Sequence, residues 1–125
     1  MDKKKVLIID DSKMSRDMLR ITLEQSGIEA KSAADGKEAL AILEKESFDL
    51  IVLDLILPGL DGFGLLTMIK ELPLCTHTPV IILSGRDSKD EKEEAKRLGA
   101  AYYMVKHLVH PADVLKTINV FLNSE

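Results

Sequence analysis

Four short runs share one pattern: VLIID (6–10), LIVLD (50–54), VIILS (80–84) and YYMVK (102–106) each carry four apolar or aromatic residues and then a polar one. A strand with one wet face alternates polar and apolar residues; a run without that alternation suits a strand covered on both faces, as in a parallel sheet. A fifth segment, EAKSA (29–33), does alternate, and reads as an edge strand with one side in water. Helical patterns fill the gaps. Met18, Leu19, Thr22 and Leu23 share a stripe on the first, and Gly27 stands just beyond as a stop. Asp35 opens the second as an N-cap with Glu38 three residues later, and Ala39, Leu40 and Leu43 form its buried side. The third spans about 63–72 and ends before Pro73, while the fourth, about 88–98, is mostly charged, with Ala95 and Leu98 as anchors and Gly99 as its end. The last has Pro111 in its first turn, where a missing N–H does no harm, and aligns Val114, Leu115, Ile118, Phe121 and Leu122. Strand–helix repeated five times implies an α/β fold, a doubly wound five-stranded parallel sheet with five helices, expected as a single domain over 1–125.

Other classes are disfavoured by composition. The formal net charge is −4 with acids and bases intermixed, which argues against nucleic-acid or anionic-membrane binding through charge. One cysteine, Cys75, precludes an internal disulfide and a thiolate zinc site, and suits a reducing compartment. His77, His107 and His110 have no ligand-like arrangement with it. The Lys3-Lys4-Lys5 start followed by VLII is too short for a signal sequence or a membrane span, because Asp10 and Asp11 end the apolar stretch. The expected location is the cytoplasm.

In a doubly wound sheet, ligands bind beyond the carboxyl ends of the strands, where strand order reverses. Asp10, Asp54, Ser84 and Lys106 all belong to that edge, and Asp11 follows in the first loop. Asp54 is the oddest of them, with LIVL before it and LIL after it. An ionised carboxylate in such a run costs roughly several kcal/mol unless something pairs with it. Crowded carboxylates repel, so a divalent cation is their natural companion. Hard oxygen ligands favour magnesium, which keeps several waters and usually shares a phosphate with the protein. Lys106 suits a phosphoryl oxygen as a point charge, and the Ser84 hydroxyl can donate a hydrogen bond to one.

Taken in order and spacing, IIDDS (8–12), ADGKEAL (34–40), DLIVLDLILPGLDG (49–62), PVIILSG (79–85) and GAAYYMVK (99–106) resemble the receiver domain of two-component response regulators. The resemblance runs from Val6 to about Leu122 and implies a flavodoxin-like strand order, 2-1-3-4-5. It implies that Asp54 is the phospho-acceptor and that Asp10, Asp11, Asp54 and the backbone carbonyl of Ile56 bind Mg2+. Ser84 would engage the phosphoryl group, Lys106 would pair with it, and Tyr103 would be the aromatic switch. The implied phosphodonor is a sensor histidine kinase or histidine phosphotransfer protein. The implied recipient is a downstream protein target or effector domain, reached through the surface of the fourth helix, fifth strand and fifth helix, and a phosphorylation-dependent dimer is compatible with this. Such a protein assists its own phosphotransfer and hydrolysis without being an enzyme in the ordinary sense.

Two other classes compete. A dehalogenase-type phosphatase also uses a strand-end Asp with magnesium, but needs a second Asp two residues on, where this chain has Ser12 or Ile56. A pseudo-receiver would keep the fold as a binding module without the chemistry. One departure speaks for it: the family usually places proline after the lysine, and here His107 follows Lys106. Gly85, where alanine is common, is a smaller departure. A cis bond before a residue other than proline costs about 3–4 kcal/mol, so Lys106–His107 is expected to be trans and Lys106 less firmly aimed, though its long flexible stem can still reach the pocket.

Overall fold

The computed structural model describes residues 3–123, so the first two and last two residues of the expected 1–125 unit lie outside the described residues. Five parallel strands, β1 (Lys5–Ile9), β2 (Glu29–Ala33), β3 (Leu50–Leu53), β4 (Val80–Ser84) and β5 (Tyr102–Val105), lie side by side in the order β2-β1-β3-β4-β5. The helices are α1 (Lys13–Gln25), α2 (Gly36–Leu43), α3 (Gly62–Glu71), α4 (Lys89–Arg97) and α5 (Pro111–Leu122). Two short 3-10 turns, Pro73–Cys75 and Lys106–Leu108, were not anticipated by the sequence pattern.

The unbroken apolar runs are explained by two cores, one on each face. Leu7, Ile9, Ile51, Leu53, Val80 and Ile82 pack with α2 and α3 residues such as Leu43, Leu65 and Ile69. The alternate residues Val6, Ile8, Leu50, Val52, Ile81 and Leu83 pack against Leu19 and Leu23 of α1 and Val114 and Ile118 of α5. β2 sits at an edge and buries Ala30 and Ala33, while Glu29 and Lys31 face water. The stripe on α1 is narrower than its sequence suggests. Leu19 and Leu23 are buried, but Met18 is half exposed and the Thr22 hydroxyl donates to the Met18 carbonyl of its own helix. Burial of one helical face needs only the residues aimed at the sheet, and Met18 lies to the side of that line.

Side-chain caps start several helices. Ser12, Asp35 and Ser88 accept from the backbone N–H groups of Ser15, Glu38 and Glu91 at the starts of α1, α2 and α4. α4 buries only Ala95, and its remaining residues are partly or fully exposed.

The loop after β3 is held by a close approach. A Cβ on Gly62 would lie 2.4 Å from both the Cα and the carbonyl oxygen of Leu55, which is backbone and cannot swing aside. Gly62→Ala should therefore push the 54–56 segment out of place and lower stability by about 1–3 kcal/mol. Urea denaturation measures this, and an unchanged midpoint would contradict the contact.

Candidate functional site

The site begins with strand register. Ile9 of β1 stands opposite Leu53 of β3, so Asp10 and Asp54 follow side by side at the end of the sheet. The Asp54 N–H donates to the Ile9 carbonyl (2.9 Å), and the Asp10 N–H donates to the Ala33 carbonyl at the end of β2 (3.1 Å). Both side chains are almost wholly buried, at 4% and 5% residue exposure. Asp11 is exposed in the following loop, yet carboxylate oxygens of Asp10, Asp11 and Asp54 all lie within 4.8 Å of one another.

Each carboxylate is met by fixed donors. The Ser12 N–H donates to Asp10 Oδ1 and the Ile56 N–H to Asp54 Oδ1, both at 2.9 Å. Lys106 Nζ then bridges the pair, 2.6 Å from Asp10 Oδ2 and 3.0 Å from Asp54 Oδ2. Burial alone would lower the Lys106 ammonium, but its hydrogen bonds and charge interactions with Asp10 and Asp54 outweigh that, and the net shift is upward from 10.5. All three acidic residues therefore supply hard oxygen donors that could surround a divalent cation.

The Lys106–His107 bond is trans, as are all peptide bonds among the described residues. Lys106 nonetheless reaches the pocket, as its long stem allows. Lys106 opens the tight turn Lys106–Leu108, and its long stem reaches both carboxylates from there. A trans bond and a lysine in contact with both carboxylates coexist.

Ser84 ends β4 fully buried, and is in register with Val105, the residue before Lys106. Its Oγ accepts from the Arg86 N–H at 3.3 Å. The Tyr103 hydroxyl donates to the Arg86 carbonyl at 2.8 Å, while the Lys92 ammonium lies 6.0 Å from the centre of its ring. Burial pushes the Tyr103 phenol above its ordinary value, and the Ser84 hydroxyl beside it pulls the other way. Ser84 and Tyr103 thus grip the two ends of one residue, Arg86. The Ile56 side chain is 46% exposed at the rim, while its N–H is held by Asp54. Position 12 is a serine that caps α1, so it offers no second carboxylate of the phosphatase kind.

The sequence pattern did not single out Arg16, although its Nη1 donates to the Asp10 carbonyl at 2.8 Å. An arginine three residues inside a helix has the sequence signature of an ordinary surface cation. Arg86 links Ser84 and Tyr103 through its backbone, which leaves no mark on residue type.

Lys106 carries a testable load in metal-free protein. Lys106→Met would leave two buried carboxylates facing each other, and should lower stability by about 2–4 kcal/mol in the presence of EDTA. Adding Asp54→Asn to that variant should recover most of the loss. An unchanged urea midpoint for the single variant would show that the pair tolerates its charge by other means.

Comparison with known proteins agrees with this geometry. A sequence model of the response regulator receiver domain matches residues 6–119. Protein PilH of Pseudomonas aeruginosa is 33% identical over 118 residues, covering 94% of this chain and 97% of that protein. The alkaline phosphatase synthesis transcriptional regulatory protein PhoP of Bacillus subtilis is 39% identical over 103 residues, which are 82% of this chain; they span only 42% of PhoP. The crystal structure of the chemotaxis protein CheY4 of Vibrio cholerae superposes with a TM-score of 0.90 at 36% identity, over 96% of this chain and 99% of that one. The strand order, the acidic edge beside a lysine and a match along most of the sequence lead to one assignment: the chain belongs to the response regulator receiver domain family of two-component signalling.

Proposed function

We propose that residues 1–125 act as one cytoplasmic receiver unit that takes a phosphoryl group onto Asp54 from a sensor histidine kinase or histidine phosphotransfer protein. The observation that supports this most directly is the Lys106 ammonium, 2.6 and 3.0 Å from two buried carboxylates, with a third carboxylate close by. No helix among the described residues is long and apolar enough to cross a membrane.

The donor set fits magnesium, being all oxygen and gathered from one edge of the sheet. Asp10, Asp11, Asp54 and the carbonyl of Ile56 would hold it, and when bound it supplies positive charge to the oxygens of the transferred group. An Asp54 carboxylate oxygen attacks phosphorus as the nitrogen–phosphorus bond of the donor phosphohistidine breaks, and the imidazole leaves. Lys106 exchanges its contact with Asp54 for one with a phosphoryl oxygen. The chain's contribution is position and charge, since phosphoryl transfer needs little other chemistry from the protein.

The same geometry suggests how the change spreads. When the Ser84 hydroxyl turns to donate to the phosphoryl group, the oxygen that accepts the Arg86 N–H moves with it. The Arg86 carbonyl, which holds the Tyr103 hydroxyl, belongs to the same residue and moves with it. α4 follows at low cost, because Ala95 is its only buried side chain. The surface of α4, β5 and α5 then repacks for a downstream protein, an effector domain or a second phosphorylated copy. A pseudo-receiver role is not favoured, since the acidic set and Lys106 are intact and in contact.

Incubation with acetyl phosphate and magnesium should add one phosphoryl group, and Asp54→Asn should remove it, as read by intact-protein mass. Full labelling of that variant would sink the assignment of Asp54. The aliphatic Ile56 at the rim gives an attacking water no polar partner, so the acyl phosphate should be long-lived. Ile56→Asn should shorten its half-life several-fold; an unchanged or longer half-life would show that Ile56 does not govern water access.

A further inference from the structure

Asp10 is held at every polar atom, and each hold comes from a different part of the fold. Its N–H goes to Ala33 at the end of β2, its Oδ1 accepts from Ser12 in the loop, its Oδ2 meets Lys106 after β5, and its carbonyl accepts from Arg16 on α1. The last is the unusual one. Asp10 lies just beyond β1, so its carbonyl has no sheet partner, and that carbonyl belongs to the peptide joining Asp10 to Asp11. Whatever fixes this peptide fixes the direction in which both acidic side chains leave the backbone.

Arg16 is well built for the task. It lies in the first turn of α1, its own N–H donates to the Ser12 carbonyl (2.9 Å), and its side chain is only partly exposed. The other cations of α1 are engaged elsewhere: Lys13 with Asp17, and Arg20 with Asp17 and Glu24. Among the hydrogen bonds of the described α1 side chains, Arg16 alone reaches the acidic edge.

We propose that Arg16 is a positioning residue for the acidic cluster, clamping the Asp10–Asp11 peptide so that Asp11, exposed and otherwise free to turn, stays within reach of a cation shared with Asp10 and Asp54. This rests on the magnesium-dependent reading above, and it makes a prediction opposite in sign to simple electrostatics. Removing a positive charge next to a cation site should tighten cation binding by lessening repulsion. Removing a clamp should weaken it, because outer groups that orient ligands are commonly worth about 10–100-fold in metal affinity.

The experiment compares wild type with Arg16→Gln, Arg16→Lys and Arg20→Gln. Magnesium affinity is measured by calorimetry, and protection of the Ser12 amide against hydrogen exchange is measured without metal. Arg16→Gln should raise the magnesium Kd about tenfold and lower Ser12 protection while leaving the amides of β1 protected. Arg16→Lys should recover part of both effects, and Arg20→Gln should show neither. Tighter or unchanged magnesium binding in Arg16→Gln would overturn the proposal, as would unchanged Ser12 protection. If wild type binds no magnesium, the phosphorylation reading fails, but Ser12 protection still decides whether Arg16 orders the loop.

Discussion

Two carboxylates lie nearly out of water at the ends of β1 and β3, and one ammonium makes that arrangement tolerable. Without Lys106 the edge would hold like charges with no counter-ion in a poorly solvated place, where repulsion is strongest. The rest of the site can be understood as support for this contact. The turn after β5 carries Lys106 to it, the loop after β1 gives the Ser12 N–H, and the loop after β3 gives the Ile56 N–H. Close packing of Gly62 on Leu55 keeps that last loop tight.

Stiffness and softness are divided across the molecule accordingly. The central strands β1 and β3 are buried on both faces, with one core on each side. α4 has charged residues along most of its length, and its pairs, such as Glu94 with Arg97 and Lys92 with Asp87, lie at the surface. Exposed pairs of this kind contribute little, typically about 0–1 kcal/mol each. A chemical change at the stiff edge would therefore be expressed where the structure resists least.

Much of this was legible in the sequence because it depends on residue type in a fixed order. Apolar runs without alternation gave β1, β3, β4 and β5, and the alternating 29–33 segment gave the edge strand β2. Asp54 stood out because a carboxylate among aliphatic residues needs a partner, and Lys106 offered one at the end of another run. What escaped depends on backbone. The turn at Lys106–Leu108 has no strong turn residue to announce it, so the route by which Lys106 reaches both carboxylates is not legible in residue type. Arg16 acts on a carbonyl and Arg86 is gripped through its main chain, and neither leaves a periodic signal. The side position of Met18 is not legible in sequence, because a stripe of four residues looks wider there than the sheet can cover.

Pairing of Ile9 with Leu53 has a further consequence. Adjacent strands are spaced at about 4.8 Å by their hydrogen bonds, whatever their side chains. The gap between the two acidic positions is thus a ruler marked off by the peptide backbone itself. A slip of one residue would turn Asp54 to the opposite face, so the ruler is either right or absent, with no intermediate settings. Any cation held there would meet a dimension that side-chain drift cannot easily alter, while loops and outer helical faces remain open to change. The spacing of the acidic edge and the character of the outer surface are thus set by separate constraints within one small fold.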